Sequence, residues 1–124
     1  MPKLKHIALS TQDVEGTARF YVEVFGDINL AILNFKNDAA AGVERGRGFS
    51  GIHHIGFQVD SLEAIADKLA AAGSERRDDV NQALGVGGRQ AHGNVEVKYA
   101  GPDAIMLDVS ETGWLGTPSF GGSA

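Results

Sequence analysis

The chain has 124 residues, no cysteine and a formal net charge of −5. That length suits one compact unit with its own core, and the lack of thiols excludes a disulfide framework or a thiolate metal site. Acidic residues outnumber basic ones, 16 to 11, which argues against a nucleic-acid or anionic-membrane surface. No apolar run is long enough to cross a bilayer, and the first five residues hold no apolar segment of the signal-peptide kind, so a cytoplasmic protein is expected.

Residues 4–10 alternate as a strand, with Lys5, Ile7 and Leu9 to one side and Leu4, His6, Ala8 and Ser10 to the other. Asp13 is placed to cap a helix from Val14 to about Phe25, whose apolar face is Val14, Ala18, Tyr21, Val22 and Phe25. Gly26 is placed to close that helix in a left-handed conformation. Residues 28–35 read as a second strand, and residues 36–51, polar and glycine-bearing with Arg45 and Arg47, read as a loop.

A second copy of the strand–helix unit follows. Ile52, His54, Gly56 and Gln58 share one strand face, and His53, Ile55, Phe57 and Val59 the other. Asp60 with Glu63 resembles a capping box, and Leu62, Ile65, Ala66 and Leu69 form the buried stripe of a helix that Gly73 ends. His6 and His54 open the strands of the two units, which form an internal repeat with a one-residue slip between histidine and helix cap. Residues 74–79 are charged and fit an edge strand or a loop. Residues 85–93 form a glycine-rich connection that carries His92. Residues 94–100 alternate as a strand, with Val95, Val97 and Tyr99 against Glu96 and Lys98. Gly101-Pro102-Asp103 is a turn. Residues 104–111 form a last strand, with Ile105, Leu107 and Val109 facing one way and Met106, Asp108 and Ser110 the other. The tail, 113–124, reads as loosely ordered, with Trp114 as its anchor.

Three strands thus turn an apolar face one way and a smaller or more polar face the other. A sheet with helices on its apolar side can curl around a cavity, where His6, His54 and Asp108 would meet. Two neutral imidazoles and a carboxylate suit one divalent ion: iron, manganese, nickel, zinc or cobalt. Three protein ligands leave positions open for water or substrate, and such an ion acts as a Lewis acid on substrate oxygens. A single strand histidine is more often structural than a ligand, and Asp108 alone reads as a surface acid. The joint placement at repeat-equivalent positions carries the assignment. Gln58, Glu96 and Lys98 are candidate substrate-binding residues on the same strands. His53 alternates away from His54 and reads as structural or near the surface. His92, Arg45 and Arg47 read as exposed.

Four segments resemble the vicinal oxygen chelate superfamily, which includes glyoxalase I, methylmalonyl-CoA epimerase, extradiol dioxygenases and antibiotic-resistance proteins. They are Lys5-His6-Ile7-Ala8-Leu9, Phe20-Tyr21-Val22-Glu23-Val24-Phe25-Gly26, the run from His53 to Asp60, and Gly101-Pro102-Asp103-Ala104-Ile105-Met106-Leu107-Asp108-Val109. The resemblance spans nearly the whole chain. It implies an α+β fold of paired β-α-β-β-β modules whose mixed sheet forms a cup: module one at about 1–51, module two at about 52–112, then the tail. His6 and His54 fall on the family's histidine ligand positions, and Asp108 on its C-terminal glutamate.

The chain departs from that pattern in several places. Asp108 is one methylene shorter than Glu, so it must approach a metal more closely or bind through water. Ala104 and Ile105 replace the usual Gly and Asn of the turn. Two strands are expected between Gly26 and the strand at 28–35, where Asp27-Ile28 follows directly. Either the protein lacks them or a segment is omitted from the chain. Omission is favoured here, because a missing half-sheet would open the cup and expose the core. A fourth ligand, Glu or Gln in some members, has no counterpart: Asn29 and Asn34 are poor substitutes, and Glu44 lies in a loop.

The resemblance implies a metal-dependent, glyoxalase-like lyase or isomerase acting on a small substrate with adjacent oxygens, and a homodimer. An extradiol-type non-haem iron dioxygenase is one alternative. The other is a metal-free binding or resistance protein, in which Tyr99 and Trp114 would matter more than His54. No general base is visible in the sequence.

Overall fold

The apolar alternation of five short segments builds one mixed sheet in the computed structural model, which describes residues 2–26, 30–86 and 96–112. The strands are β1 (Lys3–Ser10), β2 (Leu30–Leu33), β3 (Gly51–Gln58), β4 (Val97–Ala100) and β5 (Met106–Ser110), in the spatial order β2-β1-β3-β5-β4. β1 is parallel to β2 and antiparallel to β3, and β5 is parallel to β3 and antiparallel to β4. The helices are α1 (Val14–Phe25), α2 (Asp38–Ala41), α3 (Leu62–Ala71) and α4 (Asp78–Ala83). The expected α+β class is therefore observed, with a sheet that stays open, as a cup requires. His92, Trp114, the tail beyond 112, Ile28 and Asn29, and residues 94–95 of the predicted fourth strand lie outside the described residues.

Local signals explain most element ends. Asp13 caps α1 by accepting from Gly16 N–H at 3.0 Å, and Gly26, at φ 79°, closes it by donating to Val22 O at 2.8 Å. The cap of α3 lies one residue beyond the expected Asp60. Ser61 is extended, and its hydroxyl accepts from Ala64 N–H at 3.1 Å, while Glu111 Oε2 takes Leu62 N–H at 2.8 Å. Gly73, at φ 82°, follows the last turn as predicted. The segment expected as a plain loop, 36–51, contains α2. Asn37 Oδ1 accepts from Ala40 N–H at 2.8 Å and starts this four-residue helix, whose Ala40 and Ala41 are buried against Phe35. A helix this short has no period to read in a sequence. Residues 74–77 act as an edge to β4: Arg76 bridges Tyr99, and Glu75 O accepts from Ala100 N–H at 2.8 Å.

The two halves of the molecule differ in packing. In the second, α3 lays Leu62, Ile65, Ala66 and Leu69 over Val59, Tyr99 and Val109, as its stripe predicts. Neither helix has a fully buried residue, but in the first half the predicted face of α1 is poorly covered: Ala18 and Tyr21 are half-buried, whereas Val22 and Phe25 are 54% and 64% exposed. The reason is topological. After α1 and residues 27–29 the chain enters β2, which pairs directly with β1; α1 is the crossover between two parallel neighbours. No further strand stands between them among the described residues, and the first half-sheet is correspondingly short. No helix among the described residues is long and apolar enough to cross a membrane.

Asn81, on α4, substitutes for a strand partner of β4. Its Oδ1 accepts from Lys98 N–H at 2.8 Å and its amide donates to Lys98 O at 3.2 Å, in a buried setting. Asn81→Ala should therefore cost about 1–3 kcal/mol, the penalty for leaving a buried donor unmet. Urea unfolding of the variant and parent measures this, and equal midpoints would refute it.

Candidate metal centre

Strand register brings the chemistry together. His6 of β1 is paired with Gly56 of β3, Gly56 with Asp108 of β5, and Asp108 with Lys98 of β4. These four residues form one row across four strands. His54 lies two residues before Gly56 and so on the same face. Because Gly56 has no side chain, the neighbouring rings and carboxylate lean into the space above it. A Cβ built there would lie 2.6 Å from Asp108 Oδ1 and 2.7 Å from His6 Cε1.

The three predicted ligands converge on that space. His6 Nε2 is 3.4 Å from His54 Nε2, and Asp108 Oδ2 is 3.1 Å from His54 Nε2 and 3.6 Å from His6 Nε2. Donor atoms held about 2.1 Å from a common ion stand roughly 3.0–3.4 Å apart, so the spacing fits a first-row divalent metal. All three residues are buried, Asp108 completely. Asp108 Oδ1 has no hydrogen-bond partner among the described residues, which leaves its lone pairs available to a cation. The buried group His6, His54 and Asp108 can thus hold a metal ion.

The electrostatics follow from burial and neighbours. Burial alone would push the Asp108 carboxyl up, but the imidazoles of His54 and His6 and the Lys98 ammonium, 3.2 Å from Oδ2, outweigh it and hold the carboxyl well below its usual range. Burial lowers His54, against the opposing pull of Asp108. Burial also lowers His53, to about 4. Ligation requires the imidazole nitrogens bare and the carboxylate ionised, so a metal must displace the proton that His54 shares with Asp108.

A cavity of about 410 Å³ opens beside this group, with His6, His54, Glu96 and Lys98 on its polar side and Leu33 and Phe35 among its apolar wall. Glu96 and Lys98, expected to meet substrate, do line it. Gln58 does not: it lies further along β3, near the strand end, where its amide donates to Glu111 O at 3.4 Å. Glu44 is held away by a bidentate pair with Arg77 at 2.7 and 2.9 Å. Arg45 and Arg47 bind the carbonyls of Ala104 and Lys36, so both tie down backbone. Asn34 lines the cavity and donates to Thr11 O at 2.9 Å.

Two site residues escape a reading by strand alternation. Lys5 should face away from His6. A register shift between Leu4 and His6 breaks the alternation, and Lys5 is buried with its Nζ 2.8 Å from both Glu96 Oε2 and Ser110 Oγ. His53 takes the structural place of the two expected for it: it is fully buried, yet its ring meets His54. Its Nδ1 lies 2.8 Å from His54 Nδ1, and its Nε2 lies 2.6 Å from Ala41 O. Comparison with protein-family models, curated proteins and solved structures finds no match for this chain.

Two outcomes are expected. Gly56→Ala should keep the far-ultraviolet circular dichroism of the parent but weaken Zn²⁺ binding by about tenfold or more, because a methyl group would spread the donors. Calorimetric titration measures this, and parent-like affinity would refute it. The second concerns pH. With chelator present, unfolded histidine takes up a proton near pH 6.5, whereas folded His53 does so only near pH 4. The unfolded state binds more protons throughout that interval, so stability falls as pH drops from about 6.5 to 4. Asp108, depressed in the fold, extends the loss below pH 4, where unfolded carboxylates protonate first. A melting temperature that is flat or rises from pH 6.5 down to 4 would contradict this.

Proposed function

We propose that this chain is a metal-dependent enzyme of the glyoxalase-like kind, a lyase or isomerase acting on a small substrate with two adjacent oxygens. One observation carries the reading: three donor atoms with metal-ligand spacing, buried on one sheet face, with both histidines open to a cavity of small-molecule size. A divalent ion held there would supply a Lewis acid for the substrate's paired oxygens. Lys98, paired to Asp108 Oδ2, keeps that carboxylate anionic and places an ammonium on the cavity wall. Glu96 is the one carboxylate lining the cavity among the described residues. It is therefore the group to accept or return a substrate proton, with Lys5 holding its other face. Leu33 and Phe35 give the cavity an apolar wall against which a small substrate can pack.

Two histidines and one carboxylate on a single face are also the ligand set of non-haem iron(II) oxygenases, which supports an extradiol-type dioxygenase as the second reading. The homodimer belongs to the same proposal, and the uncovered apolar residues of α1, Phe20, Val24 and Phe25, give it a surface.

The test is divalent-metal content and affinity of the parent against Asp108→Ala, followed by turnover of 2-oxoaldehydes and catechols with matched metals. Stoichiometric binding that collapses in Asp108→Ala is expected. Glu96→Gln should retain the metal and lose about 10²–10⁴-fold in turnover of a proton-transfer substrate. Oxygen uptake with a catechol and iron would select the dioxygenase. No binding in the parent would overturn both readings in favour of a metal-free binding cup.

A further inference from the structure

The least expected feature of the site is the pair of adjacent histidines on β3. Consecutive strand residues point to opposite faces, yet the two rings meet edge to face, with centroids 5.1 Å apart and an interplanar angle of 84°. His53 is held from behind as well. Phe35 packs on its ring with centroids 4.4 Å apart, and Ala41 O, at the end of α2, lies 2.6 Å from its Nε2.

The bonding partners constrain which nitrogen carries a hydrogen. A carbonyl oxygen only accepts, so His53 Nε2 must carry a hydrogen to meet Ala41 O. A neutral His53 then has a bare lone pair at Nδ1. His54 Nδ1, 2.8 Å away, must be the donor across the gap. Nε2 is then the atom of His54 left to face the shared space, 3.1 Å from Asp108 Oδ2 and 3.4 Å from His6 Nε2. A carboxylate only accepts, so without a metal Nε2 holds a hydrogen toward Asp108, and a metal takes the lone pair that this proton's departure frees. The chain of bonds starts at a backbone carbonyl and ends at the ring nitrogen aimed at the shared space.

We propose that His53 is a positioning residue: it relays the Ala41 carbonyl to His54, locking His54 in the tautomer and orientation that offer Nε2 as a metal ligand. The role rests on the metal-centre reading above. Ligating histidines commonly owe their tautomer to a carboxylate, carbonyl or water on the other ring nitrogen. Here a second histidine fills that place, and through it α2 becomes part of the support for the site. The strongly buried, fully bonded His53 thereby has a use that its packing alone does not require.

The test has two arms. Nitrogen-15 spectra of histidine-labelled protein, metal-free and Zn²⁺-loaded, should show His53 protonated at Nε2 and bare at Nδ1, with His54 protonated at Nδ1, in both states. A proton on His53 Nδ1 would overturn the proposal whether or not the metal reading holds. In the second arm Zn²⁺ affinity is measured for His53→Phe and His53→Asn. Phe preserves the ring against Phe35 but cannot accept from His54, and should bind about 10–100-fold more weakly than the parent. Asn packs less well yet places an acceptor where Nδ1 stood, and should recover part of the loss. Parent-like affinity in the Phe variant, or an Asn variant no better than Phe, would overturn the proposal. A packing role predicts the reverse order. A parent that does not bind Zn²⁺ would sink the metal-centre reading and the ligand role with it; the spectra would then report only whether the hydrogen-bond chain exists.

Discussion

The arrangement depends on a buried carboxylate. Asp108 is fully enclosed on a central strand, where an unpaired charge would be far more costly than at the surface. Its surroundings answer that cost from three sides, with Lys98 on β4, His54 on β3 and His6 on β1. The sheet can supply these partners because Gly56 leaves a gap in the middle of the row. With a side chain at that position, His6 and Asp108 would stand apart on their own strands. One missing Cβ thus turns a line of strand residues into a cluster.

The polar network around Asp108 continues outward in an ordered way. Lys5 joins Glu96 to Ser110, the residue two beyond Asp108 on β5. Asn81 holds the backbone of Lys98, and so anchors the strand that carries the ammonium. His53 connects His54 to α2. Buried polar groups of this kind favour one arrangement, because each misplaced member leaves its partner unmet in a low-dielectric setting. The apolar second half supports them: α3 covers β3, β5 and β4 and keeps their faces in register.

The first half is built more sparingly. α1 carries an apolar stripe that the described residues cover only in part, and β2 is a four-residue edge. The cavity beside the histidines borders this half: the end of β2 and the residues leading into α2, among them Leu33 and Phe35, line it.

Much of this was legible in the chain itself. Alternation and helical spacing are local properties, so the strand–helix repeat, the caps at Asp13 and Gly26 and the stripe of α3 could be read directly. Matching faces at repeat-equivalent positions brought His6, His54 and Asp108 together on paper. The tertiary structure decided what depends on contacts between distant segments. The bulge before His6 turned Lys5 inward, against its alternation. The one-residue shift of the α3 cap and the four-residue α2 follow from side-chain hydrogen bonds that carry no periodic signal. The pairing of His53 with His54 required Ala41 to arrive behind it, and Glu96 reached the cavity only because β4 pairs with β5 in one register. Periodicity states which way a residue faces. Only the assembled sheet determines what it meets there.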